Sequence, residues 1–189
     1  MKKYISAFAL SALVCSSCSD FLDVQPEGDA TTTQYFTNDQ QAIDAIDGLY
    51  ERFHQEGCYG RELFWEQGAA CDIVWGRTRG YNTLATLNYN GDESPLRDVF
   101  SRMYSTMARA NWVIEGLLNK EKNTALSEVE KRSLGEAYFN RAWAHFIIAY
   151  RYGTDKQGVP FVRYEDFENG YDNSIPPQRA SVMENYQLI

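Results

Sequence analysis

The chain has 189 residues, a formal net charge of −8 and an aromatic share of 14%, with four Trp, thirteen Tyr and ten Phe. The acidic balance excludes a nucleic-acid partner, whose phosphates demand a basic face, and excludes electrostatic attachment to anionic headgroups. About 170 residues remain once an export signal is set aside, enough for one domain, and the aromatics exceed what a core of that size needs.

Lys2 and Lys3 precede an apolar run over residues 4–14, and Ser16 and Ser17 then lead to Cys18. Basic, apolar, small, then cysteine is the order of a bacterial lipoprotein export signal. The run is too short for a permanent span, which needs roughly 20 residues. Cleavage before Cys18 makes residues 1–17 a signal peptide, puts diacylglycerol on the sulfur and an acyl chain on the new amine. At about 0.8 kcal/mol per buried methylene, such chains hold a protein on a membrane through lipid alone. Three positions before Cys18 stands Cys15, where Leu is usual. Cys15 follows Ala12, Leu13 and bulky Val14, so lipidation at Cys15 and a non-lipidated product are the alternatives. Residues 18–36 contain Asp, Pro, Gly and a Thr triplet without helical period and read as an extended tether, with Phe21, Leu22 and Val24 able to dock on the body.

From residue 37 the pattern is helical. Thr37 and Gln40 have capping-box spacing, Ile43, Ile46, Tyr50 and Phe53 follow at spacings of three or four, and Gly57 is a stop. Gly48 inside this helix predicts a close helix contact. A second helix opens with Ser94 as cap and Pro95 in its first turn. Its stripe of Leu96, Val99, Phe100, Met103, Met107, Ala110, Ile114 and Leu117 carries it to about Asn119. A third runs from a capping box at Ser127 and Glu130 to Tyr152, with Gly153 as stop. Its second half is apolar on nearly all faces, which predicts a central position. Ser181 and Glu184 mark a fourth start, with Val182, Tyr186 and Ile189 beginning an apolar face. The reading is that of the N-terminal part of a longer protein.

Between the first two helices, glycines and aromatics alternate over residues 58–94. A short helix or turn is expected near residues 61–68 and a strand around 83–89. A stretch this long with little regular structure is often functional. Cys58 and Cys71 permit a disulfide outside the cytosol; two buried free thiols are the other reading.

Motifs for chemistry are few. His54 and His145 lie on separate helices without a metal-ligand partner at suitable spacing, so His145 is read as a satisfied core residue, and no metal or cofactor is expected. There is no nucleophile elbow, P-loop or dinucleotide fingerprint. Glu62, Glu66, Asp72, Asp92 and Glu93 could include a glycosidase pair but read as solvated charges. Trp65 and Trp112 sit in helical stretches and read as core. Sugars present a flat C–H face and a rim of hydroxyls, so a site for them needs aromatic faces beside polar groups. Residues 72–82 supply both: Trp75 and Tyr81 for stacking, Asp72, Arg77, Arg79 and Asn82 for hydroxyls. The competing reading places Trp75 in the core and leaves the charges solvated.

Within the third helix, Ala142, Phe146 and Ala149 have the spacing of a tetratricopeptide second helix. The short link over 120–126 makes a helical hairpin of the last two long helices. Taken in order, several segments resemble the SusD-like (RagB/SusD) outer-membrane nutrient-binding lipoproteins of Bacteroidetes. They are Cys18 to Asp23 with Pro26, Gly48 to Tyr50, Arg109 to Asn111, Gly135 to Ala142, Tyr150 to Gly153, Gly158 to Val162, and Pro177 to Tyr186. The resemblance implies an all-α fold of tetratricopeptide-like helical hairpins with a long aromatic-rich loop insertion. It also implies that residues 37–189 are the N-terminal helical domain of a larger α protein whose missing C-terminal region carries much of the ligand site.

Further, it implies a lipid-anchored, surface-exposed place on the outer membrane. The protein would bind a nutrient, an oligosaccharide or a peptide, as the lid of a SusC-like TonB-dependent β-barrel transporter, and would not be an enzyme. By position and residue type, Trp75 is the residue that inherits the family's sugar-stacking role, and Asn111 and Arg141 are expected to satisfy buried groups between helices. Two other classes remain: an extracytoplasmic helical-repeat scaffold without a small-molecule ligand and, third, a lipoprotein glycosidase.

Overall fold

The computed structural model describes residues 35–71, 74–75, 81–161, 163–168, 174 and 176–189. Cys15, Cys18 and the tether up to residue 34 lie outside the described residues.

The first helix, α1 (Asp39–His54), starts one residue later than Thr37 would place it. Asn38 is its N-cap and its side chain accepts from the Gln41 amide, while Thr37 donates through both N–H and hydroxyl to Gln41 Oε1 at 2.8 Å. Asn is the stronger cap because its carbonyl oxygen reaches the free amides of the first turn. The face α1 buries is Ala42, Ala45, Ile46, Leu49 and Phe53, with Ile43 and Tyr50 exposed on its margin. Counting only large residues had turned the expected stripe away from its two alanines.

After α2 (Glu62–Ala70) and α3 (Tyr81–Ala85) come the two long helices, α4 (Ser94–Glu121) and α5 (Glu128–Tyr152). Ser94 is not the cap of α4: Glu93 holds that position without a side-chain bond, and Ser94 and Pro95 form the first turn. The cap of α5 is as expected, a reciprocal Ser127–Glu130 box. The helices lie antiparallel, since Lys120 at the end of α4 pairs with buried Glu130 near the start of α5. At the other end the Tyr152 hydroxyl donates to the Leu96 carbonyl at 2.7 Å. Ser127 also donates to Asp39 at 2.6 Å, fixing the start of α1 to the start of α5.

Two adjoining apolar clusters fill the space between α1, α4 and α5. One gathers Phe36, Ile46, Leu49, Val113, Ile114, Leu117 and Ala137; the other gathers Phe53, Cys58, Val99, Met103, Met107, Ile147 and Ile148. Burial of this kind drives association at about 25 cal/mol per Å² of apolar surface. The close helix contact expected at Gly48 is absent there, where an added Cβ would only touch Arg109 at 3.5 Å. A close approach occurs instead at Gly116, where a Cβ would stand 2.1 Å from the ring of Phe36, which precedes α1.

Beyond α5, residues 158–161 fold back along it, followed by α6 (Tyr164–Glu168) and α7 (Val182–Leu188). Asn185 is the buried residue of α7. Its side chain accepts from Val159 N–H at 2.6 Å and donates to Val159 O at 3.0 Å, and Gly158 N–H donates to Ala180 O at 3.0 Å. A Cβ on Gly158 would lie 2.0 Å from Asn185 Oδ1, so only glycine lets this double bond form. The apolar face expected at Val182, Tyr186 and Ile189 is exposed or half-buried instead. Asn111 and Arg141 behave as expected: Asn111 accepts from Arg141 at 2.9 Å and from Tyr164 N–H at 3.1 Å, joining α4, α5 and α6.

The architecture is all-α and tetratricopeptide-like, and no strand occurs among the described residues. Where a strand was expected around 83–89, Tyr81–Ala85 is helical and Leu87 takes a left-handed φ of 54°. Thr86 donates to Asn82 O and Thr83 O, which closes the turn locally and leaves no extended run to pair.

Candidate functional site

The region between α1 and α4 is held by charges as much as by apolar contact. α2 turns Glu62, Leu63, Glu66 and Ala69 inward and Phe64 and Trp65 outward. Glu62, 2% exposed, accepts from Arg61 and from the Tyr81 hydroxyl. Glu66 pairs with Arg151 of α5. These two carboxylates are therefore buried anchors and not solvated charges. Burial pushes the Glu66 carboxyl up, against the pull of Arg151. Both have their lone pairs engaged by Arg or Tyr donors, which gives them a structural role between α2, α3 and α5.

Of the residues singled out for sugar binding, Trp75 is 70% exposed. Its neighbour Val74 rests on α2, with the Gly68 Cα so close that a Cβ would come to 3.3 Å. The indole is thus carried by a short segment seated on a helix. Asn82 is exposed on α3. Tyr81 is not available for stacking: at 8% exposure it packs with Ala69 and Leu84, and burial with the Glu62 bond raises its hydroxyl pKa to about 12. The tyrosine that begins a helix beside a buried carboxylate is drawn inward by that acceptor. Asp72, Arg77 and Arg79 lie outside the described residues.

Trp65, expected in the core, is half open on α2 beside exposed Phe64. Sequence periodicity missed this because Glu62 and Glu66 take two of the inward positions of α2, which disguises its buried face. Trp112 is half-buried against Tyr35 and Phe36, as expected of a packing residue. A concavity of about 420 Å³ opens between α4 and α6. Tyr104, Met107, Trp112, Glu115 and Tyr164 line it, so it pairs aromatic faces with a carboxylate.

Cys58 and Cys71 are both free. Cys58 is buried, its thiol pushed up to about 11 mainly by burial, and Cys71 is exposed. Neither expected state, a bridge or two buried thiols, is the one observed. His145 is in the core as read from sequence but is not satisfied. Its ring stacks on Phe161 at 3.9 Å, and neither nitrogen has a hydrogen-bond partner among the described residues. Burial, and secondarily Arg141, lowers its pKa to about 4. Among the described residues no cluster of His, Cys, Asp and Glu could hold a metal ion, and no helix is long and apolar enough to cross a membrane.

Comparison with known proteins places these features. Residues 20–189 match the model of the SusD-like family described as starch-binding and associating with the outer membrane. A SusD-like protein of Bacteroides ovatus is 26% identical over 180 residues, which cover 94% of this chain and 31% of that protein. One from Formosa agariphila is 27% identical over 182 residues, covering 95% and 34%. The chain thus spans about a third of the length of the curated relatives it matches. In fold, it is similar to the crystal structure of a SusD homolog from Bacteroides thetaiotaomicron, with a TM-score of 0.66 at 20% identity over 83% of this chain and 29% of the other. A SusD superfamily protein from Bacteroides fragilis gives 0.65 at 18% identity over 81% and 37%. With the family model matching residues 20–189, the chain belongs to the SusD-like family.

Proposed function

We propose that this chain is the N-terminal part of a lipid-anchored outer-membrane protein that captures an oligosaccharide and delivers it to a SusC-like TonB-dependent barrel, without chemistry of its own. The observation that carries the reading is Trp75, an indole 70% open on a segment seated against α2, in a chain of a family described as starch-binding. An exposed indole on a supported segment offers a flat apolar face at little ordering cost. Asn82, with Arg77 and Asp72, would bond the hydroxyl rim, and Tyr81 would support the site from beneath through Glu62. Lipid on Cys18 would hold the protein beside its transporter.

Isothermal titration of the complete protein with a panel of maltooligosaccharides, other glycans and peptides tests this. Trp75→Ala should weaken binding about tenfold, a loss of about 1.4 kcal/mol. An unchanged affinity in Trp75→Ala with a loss in Glu115→Ala would move the ligand to the α4–α6 cleft. Silence across the panel would favour a scaffold, and release of shortened glycans would make the protein an enzyme. Cys18→Ala should shift the protein from the membrane to the soluble fraction, and co-purification should recover a β-barrel partner.

A further inference from the structure

The turn that leads into α4 contains an asparagine followed by glycine, Asn90–Gly91, the one such pair among the described residues; Asn169–Gly170 lies outside them. An asparagine side chain and the backbone nitrogen after it can close a five-membered ring. Two things ordinarily prevent this: the side chain of the next residue, and the hydrogen bond made by its N–H. Both obstacles are missing after Asn90. Asn90, Gly91 and Asp92 are exposed, and a Cβ added to Gly91 would meet nothing within 4 Å. The Gly91 N–H donates to no described residue, so its nitrogen is free to give up the proton.

The carbon that this nitrogen would attack is held and polarised. Asn90 Oδ1 accepts from the Asp92 N–H at 2.9 Å, and the Glu93 N–H closes the turn on Asn90 O at 3.4 Å. A donor on Oδ1 draws electron density from Cγ and is already in place for the negative charge that develops on that oxygen during attack. A preorganised N–H of this kind stabilises a tetrahedral oxyanion.

Other asparagines lack this combination. Asn123 is also exposed, but Thr124 follows it with a branched side chain, and the Thr124 N–H donates to Lys120 O at 2.9 Å. Asn111, Asn119 and Asn140 stand inside α4 and α5, where the following N–H belongs to the helix ladder.

We propose that Asn90–Gly91 is a site of spontaneous covalent modification, at which Asn90 becomes aspartate and isoaspartate through a succinimide. Gly91 N loses its proton and bonds to Asn90 Cγ. The Cγ–Nδ2 bond breaks, and Nδ2 leaves as ammonia with that proton. Water, the one co-reactant, then opens the ring, and nothing is oxidised or reduced. Breaking the new Cγ–N bond restores the chain with aspartate. Breaking the bond from Gly91 N to the main-chain carbonyl carbon leaves isoaspartate, with the chain routed through Cβ and Cγ. Either product adds a carboxylate just ahead of α4, beside Asp92 and Glu93, and isoaspartate also lengthens the main chain of the turn by one carbon. The inference is independent of any ligand.

Ageing the full-length protein at neutral and mildly alkaline pH, followed by digestion and peptide mass spectrometry, tests it. The peptide holding Asn90 should lose ammonia and then gain water, at a rate that rises in proportion to hydroxide. Its conversion should exceed that of Asn123 by at least about tenfold, given an open nitrogen and a donor on the oxyanion. Part of the product should resist a protease that cuts before aspartate, which marks isoaspartate. Gly91→Ala should slow the conversion severalfold, and circular dichroism checks that its fold is unchanged. Asn90 kept as the amide in the folded protein while it converts in denaturant would overturn the inference. So would equal rates at Asn90 and Asn123, an unchanged rate in Gly91→Ala, or aspartate formed without isoaspartate, which would mean direct hydrolysis.

Discussion

The α4–α5 hairpin and the α2–α3 region are built on different physics. The hairpin is an apolar seam between long helices, tied by Lys120–Glu130 at one end and Tyr152–Leu96 at the other. The α2–α3 region has short helices and a small apolar cluster of Ala69, Tyr81 and Leu84. It is held to α5 by Glu66–Arg151 and to itself by Arg61, Glu62 and Tyr81. Apolar seams tolerate many sequences, whereas a buried ion pair fails if either partner is lost. The difference shows how outward aromatics such as Phe64 and Trp65 are carried on a few charged anchors instead of on a long apolar seam.

Removing one anchor should separate the two regions most sharply. Arg151→Met strands Glu66, and leaving one buried charge unpaired costs about 3–5 kcal/mol. Hydrogen exchange should accelerate in α2 and α3 well before it does in α4 and α5; uniform acceleration would mean that the regions share one stability.

Acid should act on the hairpin through His145. Its folded pKa is lowered from 6.5 to about 4, so between those values the unfolded chain binds a proton that the folded chain does not. Stability from this group is full above pH 6.5 and falls as pH drops toward 4, by roughly 3 kcal/mol at about 1.4 kcal/mol per pH unit. Denaturation profiles of the wild type and His145→Leu should diverge over that window, with the variant the flatter of the two.

Gly116→Ala should cost about 1–3 kcal/mol by driving Phe36 from its seat on α4, read as a lowered denaturant midpoint. Gly48→Ala, one helix away, should be neutral or slightly stabilising. The smallest effect on stability belongs to Trp75→Ala, within about 0.5 kcal/mol for so exposed a side chain. A large loss there would place the indole in the core and return the site to the reading in which the aromatics only pack.

The order and approximate extent of α1, α4 and α5 and the start of α7 were legible in the residues because they depend on local chemistry, whereas α3 was expected as a strand and α6 was not foreseen. Ser127 with Glu130, Pro95 and Gly153 each act within a turn of where they stand. Errors arose where a long-range partner overrode a local pattern. The two glutamates of α2 read as surface charges until Arg151, 85 positions later, is seen beside Glu66. Tyr81 read as a stacking residue until Glu62 takes its hydroxyl. Trp65 read as core because nothing in its own helix shows that carboxylates hold the inner face.

By itself, then, the amino-acid sequence determined an acidic, all-α, aromatic-rich chain of the SusD-like kind, with helices where periodicity and caps agree. Only the tertiary structure decided which aromatics are open and which are buried, and that Gly116 and not Gly48 admits a close neighbour. The reason is that capping and periodicity are properties of neighbouring residues, while exposure depends on what arrives from elsewhere in the chain.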